Sequence, residues 1–132
     1  MSEYEFRLLG KFKPYVRMTR RGKFAALQAL EYLASQNALA WQFKEQMRGE
    51  PMLQQVPLYV RITIGMSCGV HKCDLDNQVK AILDAAQGIV FKNDCWIDML
   101  EASRGLGDND HTWVTVRAIP ARCIKTVVSA RI

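Results

Sequence analysis

A chain of 132 residues, 49% hydrophobic and 23% charged with a net charge of +5, has the size and composition of one globular domain, 1–132. That bulk suffices for a core without disulfide staples, and no apolar run is long enough for a membrane-spanning helix. Glu3 and Glu5 stand where a secretory leader would carry lysines, so a cytoplasmic protein with reduced thiols is expected.

Near the N-terminus, Tyr4, Phe6 and Leu8 alternate with Glu5 and Arg7, which predicts a half-buried strand. The irregular segment "KFKPYVRMTRRGK" follows, punctuated by Pro14 and Gly22. It carries Lys11, Lys13, Arg17, Arg20, Arg21 and Lys23 without an acid, and Phe12 and Tyr15 are interleaved among them. Such a segment suits a phosphate backbone, and it equally suits a solvated basic loop. From Phe24 to Arg48 nothing breaks a helix. Leu27, Leu30, Ala34, Ala38 and Trp41 recur at spacings of three and four, which predicts an amphipathic helix of about 37 Å with that stripe as its apolar face. Gly49 and Pro51 end it.

Leu58, Val60, Ile62 and Ile64 alternate with Tyr59, Arg61 and Thr63, giving a second strand. "GMSCGVHK" reads as a loop. A second helix is expected to open near Asp76, with Leu75, Val79, Ile82 and Ala86 on its apolar side and Gly88 as its stop. Trp96 to Ser103 and Thr112 to Ile119 read as two strands joined in a hairpin by "RGLGDND", and a short last strand fits Ile124 to Val128. The order strand, helix, strand, helix, strand, strand predicts an α+β domain with two main helices on a mixed, largely antiparallel sheet.

Four cysteines occur, at 68, 73, 95 and 123. "CGVHKC" adds His71, so a zinc site built on Cys68, His71 and Cys73 is one reading. Its spacing departs from the common paired zinc motifs, and a fourth ligand would have to come from Cys95 or Cys123. Free, partly buried thiols are the other reading.

The charge is unevenly spread. Eight of the thirteen acids lie between Asp74 and Asp110. Asp74 and Asp76 sit where loop passes into helix, and residues two apart in extended chain point to one side. Asp76, Lys80 and Asp84 follow at i, i+4 and i+8 along one helix flank, and Asp94 just before the next strand is expected to return to the same end of the sheet. Local rules leave two readings open. Acids suit a helix N-terminus, and the Asp76–Lys80–Asp84 run suits a surface ion-pair ladder worth a few tenths of a kcal/mol per pair. Alternatively the carboxylates converge. Two of them ~4 Å apart repel by about 4 kcal/mol at an effective dielectric near 20. One lysine cannot offset three such acids, whereas a divalent cation held by oxygen ligands, Mg²⁺ or Mn²⁺, can. Lys80 would then be a point charge beside a phosphate.

At these residues the chain resembles the RusA family of Holliday junction resolvases, crossover junction endodeoxyribonucleases. The family pattern is Asp-x-Asp-Asn, two residues, Lys-Ala, two residues, Asp-Ala, then an acidic pair and an apolar strand. This sequence reads "DLDNQVKAILDAAQG" and then "NDCWI". The basic segment "KPYVRMTRRGK" is a looser likeness. The resemblance implies a Mg²⁺-dependent endonuclease, with Mn²⁺ substituting, that resolves four-way DNA junctions by paired symmetric nicks in recombination and repair. It implies a homodimer with no small-molecule cofactor, in a bacterial cytoplasm, of prophage or phage origin. It assigns Asp74, Asp76 and Asp94 as metal ligands and Lys80 as the catalytic lysine. Asn77 is expected to orient the aspartates, and Asp84 to support Lys80. Junction contacts are expected from Lys13, Arg17, Arg20, Arg21, Lys23, His71 and Lys72. Two departures stand out. The acidic pair is Asn93–Asp94, so its first member brings no charge, and the lead-in "SCGVHKC" is poor in arginine. Two alternatives follow: a protein of the same fold that binds branched DNA without cutting it, and a zinc-stabilised binding module.

Overall fold

The computed structural model describes residues 3–16 and 22–120, with side chains in α1 described from residue 27 onward. The elements are β1 (Glu3–Leu9), α1 (Gly22–Met47), β2 (Leu58–Met66), α2 (Leu75–Ala86), a short 3-10 turn (Asp94–Trp96), β3 (Ile97–Leu106) and β4 (His111–Ala118). This is the expected α+β arrangement. The suggested strand at Ile124 to Val128 lies outside the described residues.

The four strands form one mixed sheet in the order β1-β4-β2-β3. β4 runs antiparallel to both β1 and β2, and β3 runs parallel to β2. Parallel neighbours need a crossover, and α2 supplies it. The expected hairpin between the last two strands is therefore corrected. β3 and β4 are not neighbours, because β2 lies between them. The residues at 107–110 do not turn back on the same edge; they pass over the end of β2. Gly107 N–H donates to the Met66 carbonyl at 2.9 Å, and Ser67 N–H donates to the Asp110 carboxylate at 2.9 Å. A short Gly- and Asp-rich connection has the same local signature whether it joins neighbours or steps over one strand.

Strand alternation decides the core. Phe6, Leu8, Val60, Ile62, Ile64, Val114 and Val116 point to one side of the sheet and are buried with Leu39, Phe43 and Met47 of α1 and Val79, Ile82, Ala85 and Ala86 of α2. Both helices thus cover one face. On the other face Arg7 and Trp113 are paired in register, with the guanidinium 5.1 Å from the indole ring centre.

The buried stripe of α1 also differs from the expected one. Leu27, Leu30, Ala34, Ala38 and Trp41 are exposed, Leu30 by 65% and Trp41 by 63%. The face that packs is Tyr32, Leu39, Phe43 and Met47. Apolar residues occupy more than one side of this helix, so periodicity alone could not say which side meets the sheet. Two glutamines hold the helix against β1. Gln42 and Gln46 each accept from and donate to the strand backbone, at Leu9 and Arg7 respectively. For α2 the expected stripe is met: Val79, Ile82 and Ala86 are buried and Leu75 is half-buried.

Candidate functional site

The Asp74 motif is built at the C-terminal end of β2. After Met66 the chain makes a tight loop in which Lys72 N–H donates to the Gly69 carbonyl at 3.1 Å. Gly69 has φ +69°, a left-handed conformation that costs a side-chain-bearing residue energy. From the edge strand, Arg104 reaches over this loop. Its Nη1 donates to the Cys73 carbonyl at 2.6 Å and to Gln78 Oε1 at 2.9 Å. Gln78 is buried, so its amide oxygen requires such a partner. The residue before Asp74 is thereby fixed to β3.

Asp74 is the N-cap of α2, with extended backbone (φ −76°, ψ 142°), yet its carboxylate makes no capping hydrogen bond. Asp76, in the first helical turn, is exposed and makes no hydrogen bond or ion pair among the described residues. Both carboxylates are left unengaged by the fold, which a purely capping role does not require. They are hard oxygen donors of the type that suits Mg²⁺ or Mn²⁺.

One turn further along, Lys80 is held from two directions. Its Nζ lies 3.6 Å from Asp84 Oδ1 and 4.8 Å from the ring centre of Tyr15. Tyr15 comes from the basic segment after β1, and its N–H donates to the Asn77 carbonyl at 2.9 Å. Its ring meets Tyr32 of α1 edge-on, with centroids 5.9 Å apart. The Tyr32 hydroxyl donates to Asp84 Oδ2 at 3.4 Å. Burial, together with the nearby Asp84 carboxylate, pushes the Tyr32 phenol up to about 12. Tyr15 and Tyr32 were not singled out as site residues from the sequence. Tyr15 had a signal, an aromatic amid cations, but its partner Lys80 is 65 positions away.

Asp94 stands apart. β3 runs parallel to β2 with Ile97 beside Leu58, so Asp94 lies at the opposite end of the sheet from Asp74. α2 separates the two ends by 12 residues, about 18 Å at 1.5 Å per residue. The expectation that Asp94 returns to the Asp74 end is thus not met within one chain. A parallel strand must start where its neighbour starts. The Asp94 N–H donates to Gln87 Oε1 at 3.0 Å, while its carboxylate is exposed. Asn93 caps the 3-10 turn, its side-chain oxygen accepting from Cys95 N–H at 2.9 Å.

The other expected residues are distributed as follows. Asn77 contributes its backbone carbonyl to Tyr15, and its side chain makes no hydrogen bond among the described residues. Lys13 pairs with Glu31 at 3.9 Å, and its N–H donates to Ser35 Oγ. His71 and Lys72 are exposed in the loop before Asp74. Arg17, Arg20 and Arg21 lie outside the described residues, and Lys23 is described only as a backbone position in the first turn of α1. Among the described residues no three His, Cys, Asp or Glu side chains converge as metal ligands, which holds for Cys68, His71 and Cys73 as it does for the three aspartates. Cys68, Cys73 and Cys95 are free thiols. No described helix is long and apolar enough to cross a membrane.

Exposed carboxylates at the start of α2, with a lysine held by Asp84 and Tyr15 one turn on, are the site the fold presents. The sequence model of one family, described as Endodeoxyribonuclease RusA, matches residues 8–117, which is most of the chain. The chain therefore belongs to the RusA family of Holliday junction resolvases. No curated protein matches it at a comparable standard.

Proposed function

We propose that the protein is a Mg²⁺-dependent homodimeric resolvase that nicks four-way DNA junctions at paired, symmetric positions. The observation that carries this reading is the Asp74–Asp76–Lys80 arrangement: two carboxylates at the start of α2 that have no structural partners among the described residues, and one turn on an ammonium steadied by Asp84 and Tyr15. Asp74 and Asp76 would hold the metal. When bound, a divalent ion there activates water and stabilises charge on the phosphoryl oxygens. The remaining steps belong to the chain. Lys80 sets a positive charge beside the scissile phosphate or the leaving oxygen. Lys13, His71 and Lys72, with Arg17, Arg20, Arg21 and Lys23, bind the flanking backbone, and the open carboxylates repel it until the ion is present.

Asp94 enters this reading through the dimer. Among the described residues β3 is the outermost strand on its side of the sheet, with Leu100 and Leu106 exposed. Apposition of two subunits along their β3 sides about a two-fold axis would set the start of one β3 beside the end of the other. It would bring Asp94 of the partner subunit toward the Asp74–Lys80 end. The dimer would then hold two sites related by symmetry, matching the two cuts a junction requires.

The test is incubation with a synthetic four-way junction, with and without Mg²⁺. Symmetric paired nicks only in the presence of the ion are expected. Salt-sensitive binding without nicks in Mg²⁺ or Mn²⁺ would instead identify a junction-binding protein that does not cut.

A further inference from the structure

We propose that Tyr15 is a positioning residue for Lys80, fixing the ammonium where the cleavage reaction needs it. The inference rests on the reading above that Lys80 acts at the scissile phosphate.

A lysine carries its charge on a flexible four-carbon stem. The Lys80 side chain is 48% exposed, so burial does not fix it. Asp84 alone is an i+4 partner at 3.6 Å, and a pair so open to water restrains its members weakly. The Tyr15 ring supplies the second restraint, its centre 4.8 Å from the ammonium. This ring is itself well anchored. The Tyr15 N–H is bonded to Asn77, two residues earlier the Lys13 N–H is bonded to Ser35 Oγ, and Tyr32, only 5% exposed, meets the ring edge-on at an interplanar angle of 89°. Segment 11–16 is thus strapped to α1 at Ser35 and to α2 at Asn77. Tyr32 closes the circuit by donating to the same Asp84 that pairs with Lys80.

Among the described residues the Tyr15 hydroxyl makes no hydrogen bond, so the working part of this side chain is its aromatic face. That separates a positioning role from general stabilisation. Tyr15→Phe keeps the face, and Tyr15→Leu removes it with little loss of apolar bulk. Both variants, with Lys80→Ala as reference, are compared with the wild-type chain in single-turnover cleavage of a four-way junction at saturating protein. Junction affinity is measured separately without metal, and each variant's melting temperature is recorded. Tyr15→Leu is expected to cut about tenfold more slowly, with junction affinity unchanged, as a misplaced catalytic group does. Tyr15→Phe is expected to cut at the wild-type rate.

A second readout does not depend on activity. The Lys80 side-chain NMR resonances are expected to show a ring-current shift that persists in Tyr15→Phe and vanishes in Tyr15→Leu. Wild-type cleavage by Tyr15→Leu while Lys80→Ala is slowed overturns the positioning role and leaves the nuclease reading standing. A Lys80 resonance without the ring-current shift overturns it as well, including where Tyr15→Leu fails to fold. A wild-type protein that cuts no junction overturns the nuclease reading and this inference together.

Discussion

Asp76 and Lys80 carry different burdens, and single substitutions separate them. Among the described residues Asp76 has no structural partner, so Asp76→Asn is expected to abolish cleavage while leaving melting temperature and junction affinity near wild type. Full cleavage by this variant in Mg²⁺ would remove Asp76 from the site. Lys80→Ala loses a half-exposed i,i+4 pair and the cation–π contact with Tyr15, together about 1 kcal/mol of stability, so a rate loss on the order of 10²-fold is expected to accompany only a small shift of the unfolding curve. Tyr32 is different because its burial ties it to pH. Its phenol is raised from 10.0 to about 12, by desolvation first and by Asp84 second. A group that holds its proton more tightly when folded stabilises the fold fully below its unfolded pKa. That contribution is lost as pH rises from 10 toward 12. Urea titrations across this window are expected to show stability falling more steeply in the wild type than in Tyr32→Phe.

At the scale of elements, α1 and the loop before α2 give the clearest contrasts. Phe43 is fully buried and Leu30 is exposed, although the sequence periodicity favoured the stripe containing Leu30. Phe43→Ala is expected to cost about 3–5 kcal/mol, whereas Leu30→Ala should fall within about 0.5 kcal/mol of wild type in chemical denaturation. The loop depends on Gly69. A Cβ there would meet the Lys72 side chain at 3.1 Å, and its φ of +69° is unfavourable for alanine. Gly69→Ala is expected to cost about 1 kcal/mol, and to slow cleavage as well because the same turn sets the approach to Asp74. Much of this level was legible beforehand. Alternation gave β1, β2 and β4, and the Val79, Ile82, Ala86 spacing gave α2. The buried face of α1 was not legible, since its apolar residues lie on several sides and the sheet, not the helix, chooses among them.

For the whole molecule the decisive fact is the separation of Asp94 from Asp74 by the length of α2. If sites form between subunits, inactive partners can complement one another. Asp76→Asn and Asp94→Asn protein, each unable to cut alone, would on mixing form dimers in which one site has lost both groups and the other is complete. Recovery of single-strand nicking in the mixture is the expected outcome. Its absence, with subunit exchange verified, would overturn the site shared between subunits.

The class of fold, the limits of α2, and the grouping of Asp74, Asp76, Lys80 and Asp84 could be read from the residues alone, because these depend on residues within a few turns of one another. The spacing of those residues also carried the family resemblance that the match over residues 8–117 bears out. It took the packed fold to establish that β2 separates β3 from β4, that Tyr15 reaches Lys80, and that Asp94 stands at the far end of the sheet. Each of these turns on which strands are neighbours and in which direction they run. Local propensity is silent on both, since a strand has the same residues whichever neighbour it takes.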